Sequence, residues 1–167
     1  MRFILSFLFC LVLSFTVYAQ NSNKPLAENF TAATLNGRNI SLEELRGKVV
    51  VLTFWSTRCP ICNSEMPKYN QLAAKYAGQN VVFLGLSMEN EAMINNYIKK
   101  RPFNFTLIPN SLGIIMQYAL KNKSGGYEIG YPTHFVINQK GEIELKASGR
   151  GKVGAVDSLV GRLLASG

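Results

Sequence analysis

The sequence predicts an α/β domain in which a central mixed sheet carries helices on both faces. Residues 49–55 and 81–86 are continuous runs of apolar β-formers, the pattern of strands buried on both sides. Helical segments alternate with them, and a hairpin with an amphipathic helix closes the chain, an order that builds a layered sheet. The 167 residues, 47% hydrophobic and 17% charged, suffice for one core without disulfide staples and exclude a disordered chain.

Residues 1–19 stand outside that domain. Arg2 gives a short positive start, and residues 3–17 are apolar except for Ser6, Ser14 and Thr16. Val17-Tyr18-Ala19 ends in the small residue that signal peptidase needs beside its cut, so cleavage is expected between Ala19 and Gln20. The alternative is an uncleaved anchor through residues 3–19, since the run is almost long enough to cross a tilted or thinned bilayer. Cys10 does not fit a lipid attachment, because bulky Phe9 precedes it where a small residue is needed. Either way the domain is expected to work outside the cytoplasm, in the periplasm or an equivalent compartment. Residues 20–25 read as a polar linker and residues 26–167 as the domain.

Along the domain, residues 30–35 and 38–40 flank Asn36-Gly37, a dipeptide suited to a tight hairpin turn. Ser41 and Glu44 have capping-box spacing for a short helix through Leu45 that Gly47 stops. After the strand at 49–55, Ser56 to Arg58 turn the chain and Cys59-Pro60 open a helix to about Tyr76. Proline suits a first helical turn, where its missing N–H has no partner. Pro67 should kink this helix, and Gly78 ends it. Beyond the strand at 81–86, a helix is expected over 91–100, with Pro102 just past it. An extended stretch over 103–108, a helix over 111–120 and a polar loop over 121–126 follow. Residues 133–137 and 142–147 pair about a turn at 138–141, and 153–164 form the closing helix.

Without the leader, two cysteines remain, Cys59 and Cys62. A bond between them closes almost no loop and constrains the unfolded chain little. Poor as a staple, the pair suits a redox switch. Its place between a buried strand and a helix start makes a loose Cys-x-x-Cys match specific. Disulfide exchange needs a thiolate, and the free N–H groups and dipole at a helix N-terminus acidify a thiol there. Cys59 receives that field most fully, with Arg58 beside it, and is the expected nucleophile. Cys62, one turn inward, is expected to attack a mixed disulfide on Cys59 and release the partner.

A zinc site lacks ligands, since the mature chain offers no other cysteine and one histidine, His134. No metal and no cofactor is expected. The formal charge of +8 becomes about +7 when Arg2 leaves with the leader. Its lysines and arginines are scattered singly or in short groups such as Lys99-Lys100-Arg101. Nucleic acid is therefore not an expected partner, and the charge reads as a solvated surface that attracts acidic partners or anionic lipid.

The run from Phe54 and Trp55 through Cys59-Pro60-Ile61-Cys62 to Glu65 and Pro67 resembles the TlpA/ResA-type branch of the thioredoxin superfamily. So does Gly130-Tyr131-Pro132-Thr133, leading into Phe135-Val136-Ile137-Asn138 and Gly141. The resemblance covers residues 25–165. It implies a thioredoxin fold with an N-terminal β-hairpin and a helix-strand insertion at 91–108. It also implies a thiol–disulfide oxidoreductase. The branch divides into reductases, serving cytochrome c maturation or other thiol repair with a membrane-embedded thiol donor, and a few oxidants. Cys-Pro-x-Cys occurs in both, and the motif with Glu65 is closer to the reductases, so reduction of protein disulfides is expected. Pro132 is then expected to follow a cis peptide bond against the cysteine pair, where the Tyr131 backbone pairs with an extended substrate strand. Trp55 and Pro60 would flank the site and meet partners. Glu65, on the helix face of Cys62, would exchange a proton with that thiol; the plainer reading is an exposed acid favoured near a helix N-terminus. Standard thioredoxins carry a buried acid six residues before the first cysteine. Thr53 stands there in this chain, so a proton relay has to run through Glu65 or water. A monomer is expected.

Two other functions share features with this reading. A peroxiredoxin-like peroxidase needs a Pro-x-x-x-Thr-x-x-Cys arrangement that Cys59 lacks. A copper chaperone would use the soft thiolates of Cys59 and Cys62 with His134, but such chaperones on this fold space their cysteines one residue further apart. His134, at a strand start, reads as a structural residue.

Overall fold

The computed structural model describes residues 24–121 and 127–167. The expected leader, most of the linker and most of the polar loop lie outside the described residues. A hairpin of β1 (Thr31–Ala33) and β2 (Asn39–Ser41) comes first. Its turn needs Gly37, whose φ of 80° is a left-handed value that other residues adopt at a penalty. The expected capping box does not form. Glu43–Leu45 is a single 3-10 turn, and the Glu43 N–H donates to Asn29 Oδ1 at 2.9 Å as well as to Ser41 Oγ at 3.2 Å. An acceptor brought from before the hairpin thus shares the role that spacing assigned to Ser41 alone.

The remaining elements are β3 (Val49–Phe54), α1 (Pro60–Lys75), β4 (Val81–Leu86), α2 (Glu91–Ile98), β5 (Thr106–Ile108) and α3 (Leu112–Tyr118). They continue with a small pair, β6 (Leu120–Lys121) and β7 (Tyr127–Glu128), and with β8 (Thr133–Ile137), β9 (Ile143–Ser148) and α4 (Val153–Ala165). The helix expected over 111–120 stops at Tyr118, and Leu120 belongs to a strand instead. Pro67 lies inside α1 without ending it. The central sheet has the order β5-β4-β3-β8-β9, with β3 parallel to β4 and antiparallel to β8. β3 is central, and all six of its residues are buried.

Because side chains alternate along a strand, β3 splits the interior into two clusters. Val50, Leu52 and Phe54 pack with Leu84, Leu86, Ile115, Tyr118 and Phe135, beneath α3 and the N-terminal segment. Val49, Val51 and Trp55 pack with Cys62, Met66 and Tyr69 of α1 and Val156 and Val160 of α4. Each fully buried aliphatic or aromatic side chain contributes about 1.5–3 kcal/mol. The second cluster includes Cys62 and so reaches the cysteine pair.

Candidate active site

β3 leads through Trp55 and a short turn straight into α1, so Cys59 falls at the N-cap and Pro60 at the first helical position. The Cys62 N–H donates to Cys59 Sγ at 3.0 Å, one of the donors a helix start leaves free. Cys59 and Cys62 form a disulfide with their Cα atoms 5.2 Å apart. Cys59 is half-buried and Cys62 wholly buried. One sulfur is open to a partner, and the other meets only this chain.

The Tyr131–Pro132 bond is cis, and the Tyr131 carbonyl oxygen lies 3.5 Å from Cys59 Sγ. Pro132 is buried, Tyr131 half-buried and Pro60 exposed. Thr133 Oγ1 donates to the Gly130 carbonyl at 2.6 Å and shares a hydrogen bond with Ser148 Oγ, which holds the loop from both sides. Trp55 is completely buried and packs on Tyr97 and Phe103 at ring distances of 5.5 and 4.6 Å. Its ring supports the floor of the site rather than its rim, so it offers no surface to a docked chain.

Glu65 is not the exposed acid of the plainer reading. It is 1% exposed, accepting from Lys68 Nζ at 2.9 Å and from the Gly151 N–H at 2.9 Å. The Lys68 ammonium, helped by the Gly151 N–H and against the effect of burial, holds its carboxyl below the usual carboxylate range. Gly151 sits at φ 76°, and that left-handed turn aims its N–H at the carboxylate. Both oxygens of Glu65 thus accept a hydrogen bond from within the chain.

Behind Cys62 lies a buried polar column. His134 is wholly buried, shares a 3.1 Å hydrogen bond with Thr53 Oγ1 through Nδ1, and stacks on the Tyr69 ring at 4.2 Å. The β3–β8 register sets Thr53 opposite His134. Burial pushes the His134 imidazole down to about 3, partly opposed by the charge of Glu65, so the ring is neutral at ordinary pH. His134 Nε2 and Tyr69 Oη have no hydrogen-bond partner among the described residues. No three of His, Cys, Asp and Glu gather as a metal site among the described residues.

The sequence reading missed Glu89. Its carboxylate accepts from Ser56 Oγ at 2.9 Å, Thr57 Oγ1 at 2.8 Å, the Thr57 N–H at 2.9 Å and Ser87 Oγ at 2.9 Å. Burial alone would raise this carboxyl, but the Thr57 N–H and the three hydroxyls outweigh it and hold the group ionised below its ordinary range. Ser56 in turn accepts the Arg58 and Cys59 N–H groups, through Oγ at 3.1 Å and the carbonyl at 3.2 Å. Glu89 thereby fixes the turn that presents Cys59. The only trace in the sequence is a pair of hydroxyl residues before the cysteine and an acid before the helix cap Asn90.

Residues 25–146 match the AhpC/TSA family. The chain belongs to that family. It is 32% identical over 158 residues to the thiol-disulfide oxidoreductase ResA of Bacillus cereus, an alignment covering 89% of this chain and 86% of that one. A thiol:disulfide interchange protein of the thioredoxin family from Chlorobium tepidum is 25% identical, with a TM-score of 0.71 over 86% of this chain and 99% of that one. StoA of Bacillus subtilis, 24% identical with a TM-score of 0.64 over 80% of this chain and 96% of that one, shares the fold. This family member is a thiol–disulfide oxidoreductase of the thioredoxin fold, similar to ResA.

Proposed function

We propose that this oxidoreductase is exported and reduces disulfides in other proteins, with Cys59 as nucleophile and Cys62 as resolving thiol. One observation carries the assignment. The accessible sulfur is the one at the helix N-cap that receives a backbone N–H, and the second sulfur is buried one turn behind it. In the reduced protein the Cys59 thiolate attacks one sulfur of a substrate disulfide. That S–S bond breaks, its other sulfur leaves as a thiolate and takes up a proton, and Cys59 is held in a mixed disulfide. Cys62 loses its proton and attacks Cys59, which frees the second substrate thiol and closes the Cys59–Cys62 bond. Two electrons and two protons pass to the substrate, and a membrane-embedded dithiol carrier restores the reduced form.

The Tyr131 carbonyl beside Cys59 supports main-chain pairing with an extended substrate segment. Buried Glu65, three residues after Cys62 on the same helix, supports proton exchange with that thiol. The motif with Glu65 three residues on, closer to the reductases of the TlpA/ResA branch than to its few oxidants, supports the reductive direction. The same resemblance supports a role in maturation of c-type cytochromes. Residues 1–19 support export with cleavage after Ala19. No helix of the described residues is long and apolar enough to cross a membrane.

A Cys62→Ser variant expressed with its leader tests the reading. Mixed disulfides should accumulate on Cys59 in the exported compartment, with apocytochrome peptides among them if maturation is the role. Recovery of many unrelated secreted proteins points to general thiol reduction. If insulin disulfides survive the reduced protein and nothing is trapped on Cys59, the reductase assignment fails.

A further inference from the structure

A positively charged cleft opens beside the turn that presents Cys59. It has a volume of about 310 Å³ and is lined by Thr57, Met93, Asn96, Tyr97, Lys100 and Arg101. Met93 is shared with a neighbouring cleft of about 490 Å³ that holds exposed Arg58 and Met88. Three cations therefore border a continuous surface that begins at the residues before the reactive cysteine. The ion pairs of the described residues engage Lys24, Arg46, Lys68 and Lys75 and none of these three. Glu89, the carboxylate of the second cleft, stays ionised and offsets Arg58 there, so the net positive charge of this surface rests on Lys100 and Arg101 of the first cleft.

The end of α2 is also fixed in place. The Arg101 guanidinium lies over the Tyr97 ring at 5.4 Å, and Tyr97 Oη donates to Asn63 of α1, the neighbour of Cys62. Cations past a helix C-terminus suit the helix dipole wherever their side chains point. That account does not explain the stacking on Tyr97 or the lack of any carboxylate in the lining of the first cleft. Both fit a surface kept positive for a partner.

We propose that this cleft selects the protein segments presented to Cys59, favouring cysteines flanked by aspartate and glutamate. The inference rests on the oxidoreductase reading and names its substrate class. Charge complementarity of this kind acts mainly on the encounter rate and is screened by salt.

Two measurements test it. In the first, fluorescent peptides with serine in place of cysteine and acidic or basic flanks are titrated against the oxidised full chain at low salt. In the second, disulfide-linked peptides with the same flanks are reduced by the dithiol form, and the ratio of kcat/KM values is taken. Acidic flanks should win by about 10-fold in each at low salt, the gap closing at about 0.5 M salt. The double variant Lys100→Glu with Arg101→Glu should bring the ratio to one or below. A ratio independent of flank charge, or one that the double variant leaves in place, overturns the proposal even while neutral disulfides are reduced. Sedimentation with phosphatidylglycerol vesicles without any peptide preference overturns it in favour of a lipid surface. Acid-selective binding without reduction of any disulfide sinks the reductase reading and leaves the cleft standing.

Discussion

Two helices of this protein begin in the same way and do different things. At the start of α2, Asn90 Oδ1 accepts the Met93 N–H at 2.9 Å. At the start of α1, Cys59 Sγ accepts the Cys62 N–H at 3.0 Å. The acceptor takes a donor three residues on in both, and both caps have extended backbone. Asparagine is neutral, so its bond contributes only helix stability. A thiol in that place has a charged form, and the same bond stabilises the charged form more than the neutral one. Under the proposed function, what is a stability device in α2 is an acidity device in α1.

The largest effect expected from this comparison separates the two roles within Cys59. Serine is a good N-cap, so Cys59→Ser should leave unfolding stability within about 0.5 kcal/mol of the reduced parent protein. Disulfide exchange with insulin should fall by more than about 10³-fold, because the hydroxyl is a far weaker nucleophile. Urea unfolding and a turbidity assay read the two quantities. An equal loss of both would mean that the sulfur is a structural cap and nothing more.

The caps also differ in what lies behind them. The Asn90 side is exposed, whereas α1 covers the His134, Thr53 and Tyr69 column. A histidine held near 3 in the fold and near its ordinary value when unfolded binds its proton only on unfolding. Its contribution is therefore complete above the unfolded value, and it is lost as pH falls from there toward 3. Stability should drop by about 2–3 kcal/mol between pH 6.5 and 4.5, at roughly 1.4 kcal/mol per unit. A His134→Gln variant should show a flatter profile over that interval, whatever its stability at neutral pH. Parallel profiles for the two proteins would remove His134 from this account.

The sequence made the scaffold of both helices readable and the support of the first one mostly invisible. β3, α1 and β4 lie where continuous apolar runs and the Cys59-Pro60 start place them, because burial on two faces and a proline at the first helical position are local signals. The Thr53–His134 bond depends on the antiparallel β3–β8 register, which joins residues far apart in the chain. Glu65 has the right spacing from Cys62, yet its carboxylate is captured by Gly151 from the loop before α4. The Ser41–Glu44 pattern failed for the same kind of reason, with Asn29 supplying an acceptor from outside. The strand-to-helix frame around Cys59 was legible in the residue pattern, and the contacts that hold its supporting side chains, made by residues distant in the chain, were not.

Glu89 joins the two caps, since it precedes Asn90 in the chain and grips the turn before Cys59. Replacing it by glutamine removes the charge and puts an N–H₂ donor where one oxygen accepted. Glu89→Gln should cost about 1–3 kcal/mol in urea unfolding. With its carboxyl held below the ordinary range, the clamp is present above that range and is lost as pH falls through the lowered value, so the variant should unfold less steeply with acid. The pH profile of iodoacetamide alkylation of reduced Cys59 should also shift, since the turn that presents its sulfur loses its clamp. A stability loss with an unmoved alkylation profile would limit Glu89 to holding the loop.

The smallest expected effect belongs to the neutral cap. Asn90→Ala removes the acceptor for the Met93 N–H at an exposed helix start, and such a change typically costs about 1 kcal/mol. The Cys59 alkylation profile should not move, because Glu89, just before α2, holds the active-site turn and Tyr97 of α2 bonds Asn63 of α1, and neither contact passes through the Asn90 side chain. If the profile shifts as far as it does in Glu89→Gln, the caps are coupled, and the fraying of α2 reaches the sulfur. Identical geometry would then not have meant independent roles.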